Sequence, residues 1–134
     1  VTLYDRTLTK VSLAPAIATN GTLNGTAVDR GVNGGMQNAM LVVSTGVITD
    51  GSHAVAIQDS ETGSSGWTTV AAGLLQGTAP TVVAANDDTV FEVGIGLTRR
   101  YLRAVVVTSG ATDGGIVGCH FLLTAPRFAP VARS

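Results

Sequence analysis

The groups in this chain that could do chemistry are two histidines, one cysteine and a scatter of carboxylates, and their spacing decides what they can do. Nucleophilic catalysis needs a base held beside an activated serine, cysteine or threonine. The bases on offer are His53 and His120, and neither stands in a recognisable motif. His120 directly follows Cys119 in an apolar run. Neighbours along a strand project to opposite faces, so this pair cannot act together as base and nucleophile. Both histidines read as structural or solvated groups. Cys119, the single cysteine, reads as a small buried hydrophobe rather than a reactive thiol.

A metal site would draw on several His, Cys, Asp or Glu residues at ligand spacing, and no segment provides them. Asp59 with Glu61, and Asp87 with Asp88, are conceivable calcium ligands, but solvated turn carboxylates is the better reading of both pairs. Gly31-Val32-Asn33-Gly34-Gly35 lacks the lysine and hydroxyl residue that complete a phosphate loop. Gly94-Ile95-Gly96 has no helix after it, and both segments read as bends or bulges. The expectation is a protein that is not an enzyme and uses no metal or cofactor.

The elements that would position these groups are strands. With 134 residues, 45% of them apolar, the chain reads as one domain able to bury a core without disulfides. Charged residues are 13% of the total and nearly cancel, at a net charge of -1, which leaves no electrostatic footprint for nucleic acid or an anionic membrane. No apolar run approaches the length of a membrane span, and Val1 to Arg6 lacks the layout of a secretion signal. The chain is therefore expected to fold in the cytoplasm where it is made.

Strand patterns recur along the chain. Ala39-Met40-Leu41-Val42-Val43 reads as a buried strand, Thr49-Asp50-Gly51 as a tight turn, and His53, Val55 and Ile57 alternate with Ala54, Ala56 and Gln58. Asp59 to Gly66 reads as a flexible connection, Trp67-Thr68-Thr69-Val70 as a short strand with Trp67 in the core, and residues 71–80 as either a helical turn or a loop. Tyr101, Arg103, Val105 and Val107 fall on one face of a strand, with Leu102, Ala104, Val106 and Thr108 on the other. The last strand runs from Ile116 to Leu123.

About eight short strands at intervals of roughly 8 to 12 residues predict an all-β antiparallel sandwich, jelly-roll-like, although strand order, and hence an immunoglobulin-like alternative, is invisible to periodicity. The predicted layout is a sandwich over 37–125, a tail over 126–134, and a segment 1–36 that is either an extended arm or ordinary loops and edge strands. Arg99, Arg100 and Arg103 form the one basic cluster, and Arg100 and Arg103 are expected on opposite faces.

The order Thr49-Asp50-Gly51-Ser52-His53, Gln58-Asp59-Ser60-Glu61, Gly66-Trp67-Thr68-Thr69-Val70, Arg100-Tyr101-Leu102-Arg103 and Ser109-Gly110-Ala111-Thr112 through Gly115 resembles small structural proteins encoded among head genes of tailed bacteriophages. The resemblance covers about residues 26 to 130 and implies a capsid decoration, or cement, protein. Such a protein would be a β-sandwich, a homotrimer, made in the host cytoplasm and seated on the outside of the virion shell. Its partners would be the major capsid protein and further copies of itself, and it would bridge capsid subunits. Leu3, Tyr4, Arg99, Arg103, Arg127 and Phe128 are the residues expected at those interfaces. The alternative is a virion-displayed module that binds carbohydrate or a host surface.

Overall fold

A computed structural model describes residues 2–31, 35–96 and 98–127. A four-residue helix, α1 (Leu3–Arg6), leads into β1 (Thr7–Ala18), β2 (Gly21–Asn24), β3 (Val28–Asp29), β4 (Met36–Ile48), β5 (Ser52–Ser60), β6 (Thr68–Thr69), β7 (Leu75–Gln76), β8 (Thr81–Val82), β9 (Val90–Ile95), β10 (Tyr101–Ser109) and β11 (Gly115–Pro126). Single 3-10 turns occupy Ala72–Leu74 and Ala84–Asn86. The eleven strands exceed the eight or so expected because the connection between β5 and β9 contributes three two-residue strands.

The strands form two sheets, β1-β11-β4-β9-β7 and β2-β10-β5-β6, with β3 also on β10 and β8 also on β5. Pairing is antiparallel and nested: β1 with β11, β2 and β3 with β10, β4 with β9, and β5 with β6 and β8. A long hairpin rolled over on itself produces this order, which is the jelly roll rather than the immunoglobulin arrangement. The core lies between the sheets, with Leu41, Val43, Val93, Val117, Phe121 and Leu123 from one facing Val55, Ile57, Leu102, Ala104 and Val106 from the other. In β10 the inward residues Leu102, Ala104, Val106 and Thr108 are all buried, and Val105 on the other face is buried as well.

Hydrogen bonding decides between the two readings of residues 1–36. β1 runs antiparallel along β11 from Thr7↔Thr124 to Ala18↔Gly115, and β2 and β3 pair with β10, so the segment from Thr7 onward is edge strand and not an arm. Register shifts between Val11 and Leu13 and between Leu13 and Ala16, together with Pro15, break the period-two pattern that would have revealed β1. At the other end of the chain β11 continues to Pro126, and residues 128–134 of the expected tail, Phe128 among them, lie outside the described residues. Trp67 is not in the core: it is half-buried, with the Arg103 guanidinium 4.4 Å from its ring.

The sheets are tied to each other through Ser12, at the first of the β1 bulges. Its buried hydroxyl donates to Thr26 O at 2.9 Å and accepts from Ala104 N at 2.9 Å, so one side chain bridges β1, in one sheet, to β10, in the other. Thr26 N returns to Ser12 O, and Gly25 N donates to Ala104 O at 2.7 Å. A side chain at Gly25 would collide with the Ser12 hydroxyl and the Ala104 carbonyl, so a glycine is required where the chain crosses between sheets.

Ser12→Ala strips the buried Ala104 N–H and Thr26 carbonyl of a partner and is expected to destabilise the fold by about 1–3 kcal/mol. Urea unfolding of the variant would show this as a lowered midpoint at unchanged slope.

Candidate functional site

The groups with chemical potential are committed inside the fold. His53 is fully buried, with Nδ1 2.8 Å from Thr108 Oγ1 and Nε2 3.0 Å from Asp50 O. A carbonyl only accepts, so Nε2 carries a hydrogen, and both ring nitrogens are engaged in holding β5 to β10 and to the turn before it. Cys119 faces the core, where burial pushes its thiol up to about 12. His120 lies on the opposite side of β11, as strand geometry requires. Among the described residues no group of three or more His, Cys, Asp or Glu could hold a metal ion.

The fold gathers arginine at one end of the sandwich, where β1, β4 and β10 begin and β11 finishes. Arg6, Arg30, Arg99, Arg100, Arg103 and Arg127 all stand there. Arg99 clamps Asp59: its Nε and terminal nitrogen donate to Oδ1 at 3.1 and 2.9 Å, and its backbone N–H donates to Oδ2 at 3.0 Å. The same terminal nitrogen donates to Thr68 Oγ1 at 2.8 Å, pinning the loop that returns to β6. Arg103 donates twice to Gln58 Oε1, at 2.9 and 2.7 Å, beneath Trp67. Arg100 turns the other way, to Asp29 on β3, with Nε to Oδ1 at 2.7 Å and a second bond to Oδ2 at 2.9 Å. That pairing holds the Asp29 carboxyl below the usual carboxylate range.

Of the residues expected at interfaces, Arg99 and Arg103 thus serve internal contacts. Leu3, 77% exposed, and Tyr4, 68% exposed, project from α1 at this same end, as does the exposed Arg127, whose N–H bonds Gly35 O at 3.2 Å. Arg30 was not singled out by its sequence neighbourhood. It reaches the backbone carbonyls of Gln37, Thr98 and Arg99, at 3.3, 2.7 and 2.9 Å, two of them nearly seventy positions away, and nothing local signals that.

The opposite end carries Asp50, Asp87, Asp88 and Asp113, and among the described residues no lysine or arginine. Asp50, in the turn before β5, accepts from the backbone N–H groups of Thr112, Asp113 and Gly114 in the turn before β11, the shortest being Gly114 at 2.8 Å. These bonds, that of Gly114 foremost, hold its carboxyl below the ordinary value. Gly114 has φ of 82°, and a side chain there would meet the Ala18 carbonyl, so the turn also seats the end of β1. Asp87 Oδ1 accepts from Ile48 N at 2.7 Å.

Between the two ends, the outer face of the β1-β11-β4-β9 sheet is rich in apolar residues. Cross-strand partners share a face, so the register builds rows: Val11, His120, Val42 and Glu92; Thr9, Leu122, Met40 and Gly94; and, nearer the acidic end, Ile17 beside Ile116. Val11 is 59% exposed and Ile17 63%, and Val90, which follows in line from Ser44, is 61% exposed. Glu92 is the one acid on these rows, where a solvated antiparallel face would ordinarily alternate to polar residues. Met40 and Val42 belong to the segment that reads as a buried strand. They are half-exposed on this face, while Leu41 and Val43 point inward. Apolar residues on both faces of β4 were the available sign in the sequence of an apolar outer face.

No family model and no curated protein sequence matches the chain. Among solved structures, the crystal structure of the PBSX exported protein XepA is similar in fold, with a TM-score of 0.58 and 16% identity. The match covers 95% of this chain and 40% of that one, so the chain spans two fifths of the length of XepA. At that identity the likeness is one of architecture.

Because folding lowers the Asp50 pKa below 3.8, its clamp contributes stability above that value and loses it as the pH falls through the depressed one. The amide resonances of Thr112, Asp113 and Gly114, followed by NMR against pH, are expected to titrate together with a midpoint below 3.8, and Asp50→Asn should abolish that shared titration.

Proposed function

We infer that the chain is a structural module of a bacteriophage particle that acts by adhesion, its apolar outer sheet face seating on a larger protein assembly. The observation that carries this reading is the exposed Val11, Ile17, Ile116 and Val90 on one sheet face, with half-exposed Met40, Val42 and Leu122 among them and Glu92 as the one acid of its rows. Contiguous apolar surface of this kind marks places where proteins meet, whereas single exposed apolar side chains need no explanation. Support for the phage setting comes from the resemblance to small head proteins and from the fold shared with XepA, a phage protein.

In the fuller form of the proposal, the assembly is the outside of a capsid and the partner is the major capsid protein. A shell under internal pressure tends to part along its subunit seams, and a plate that grips more than one subunit opposes this even when each contact is weak. As a homotrimer the protein would present three such faces around one axis, matching threefold positions of an icosahedral lattice. Committing the reactive side chains to internal contacts suits a part that must hold shape. The carbohydrate-binding alternative calls for an open aromatic platform, and Trp67, the sole tryptophan, is covered by Arg103.

The test places charge on the face without touching the core. Val11→Asp combined with Val90→Asp is expected to leave the far-ultraviolet dichroism and melting profile near those of the parent. It should lower occupancy on purified phage shells about tenfold in co-sedimentation, since burying each new carboxylate at a contact is costly. Undiminished occupancy would remove the sheet face from the mechanism.

A further inference from the structure

Apart from Glu61 near the basic end and Lys10 and Glu92 in mid-sheet, the charges left unpaired among the described residues are sorted by end. At the basic end Asp29 and Asp59 are taken up by Arg100 and Arg99. Arg30 has only backbone carbonyls as acceptors, and its Nε is buried with no hydrogen-bond partner. The Arg127 side chain has no hydrogen bond or ion pair among the described residues, and lies across Gly35. Arg30, Arg100 and Arg127 line one cleft of about 590 Å³, with Gly31 beneath the Arg100 guanidinium. Burial above all, and the Arg127 charge in addition, disfavour the Arg30 cation, while Asp59 partly offsets them. Among the described residues, Asp29 forms its ion pair with Arg100 alone, and no acceptor meets Arg30 Nε or the Arg127 guanidinium in this cleft. At the acidic end Asp50 and Asp87 are engaged by backbone N–H groups, but the exposed Asp88 and Asp113 carboxylates accept no hydrogen bond among the described residues.

We propose that copies of this chain join end to end, with Asp88 and Asp113 of one copy entering the cleft between Arg30 and Arg127 of the next. A second copy is the occupant that charge complementarity selects, because the same chain carries the unmatched Arg30 and Arg127 at one end and the unmatched Asp88 and Asp113 at the other. Planar guanidinium groups bind carboxylates through paired, charge-assisted hydrogen bonds, and Arg30 offers the buried donor such a bond needs. The contact is heterologous: a joined pair keeps one basic and one acidic end unused, so the assembly closes as a ring or grows as a filament. This interface is independent of the adhesive sheet face, which lies between the two ends.

The test uses the full chain. Sedimentation at about 0.01 M salt should show species larger than one copy that revert to one copy at about 1 M, where screening is nearly complete beyond a few ångströms. Arg127→Glu blocks the basic end. Asp88→Asn with Asp113→Lys blocks the acidic end, and asparagine suits the positive φ of 49° at position 88. Each variant alone is expected to associate at least about tenfold more weakly than the parent. Mixed in equal amounts, the two should form a species of two copies and nothing larger, because one good pair of ends remains between them. A parent chain that stays single at low salt, or a mixture that stays single, overturns the proposal. So does self-association of either variant at the parent's strength, which would point to a symmetric contact elsewhere. Binding of a poly-glutamate peptide by a parent chain that never self-associates would assign the cleft to a foreign acidic segment and overturn it equally.

Discussion

Pairing the first long strand with the last is the constraint on which this molecule depends. β1 and β11 meet along their whole lengths although more than a hundred residues separate Leu8 from its partner Leu123. That contact encloses every other pairing, so β2 with β10 and β4 with β9 are placed once it is made. Such long-range pairing is entropically costly to close, and local turn chemistry cannot account for it alone. The closure is held at three points by polar groups: Ser12 joins the sheets midway, Asp50 gathers the turn before β11 at one end, and Arg99 fastens the β9–β10 connection to β5 at the other. Each point uses a buried or half-buried side chain to satisfy backbone groups that would otherwise be stranded between elements.

This division of labour explains the surface. Polar side chains drawn inward to close the roll are not available outside, and in a chain with 13% charged residues the loss shows. Apart from Lys10 and Glu92, the charged groups among the described residues fall at the two ends, where turns need Asp and Gly and where the arginines brace long connections. The middle of one sheet is left largely to valine, isoleucine, leucine and methionine, with His120 and Glu92 among them. Electrostatic asymmetry along the strands and apolar character across them are consequences of one packing solution.

What the sequence disclosed follows from where local rules suffice. The alternation in β10 was legible because Leu102, Ala104, Val106 and Thr108 all meet the core without a bulge, and the turn at Thr49-Asp50-Gly51 because Gly51 supplies a φ of 90° that few residues adopt. β1 was ambiguous because two bulges and Pro15 scramble its period. Trp67 was misplaced because its burial depends on Arg103, which arrives from a distant strand. The Arg30 cleft could not be foreseen, since the carbonyls of Thr98 and Arg99 that hold its guanidinium are brought near only by the roll. Sheet order, which separates a jelly roll from other sandwiches, is likewise a property of which strand meets which.

An exposed apolar sheet invites uncontrolled strand addition at its edges, and the edges here are built against it. On one side of the five-stranded sheet the edge is β1, with Pro15 lacking an N–H, two bulges bending the backbone, and Lys10 beside them. On the other it is β7, only two residues long. The second sheet ends in the four residues of β2 and the two of β6. Short, bulged or proline-bearing edges present few consecutive N–H and C=O groups for another strand to copy. A partner of the proposed kind would therefore be met by a face or an end, through side chains whose identity can be selective, and not by extension of the hydrogen-bonded ladder. That restriction lets a protein keep valine and isoleucine on its outside without the hazard they would bring to a flat, open sheet.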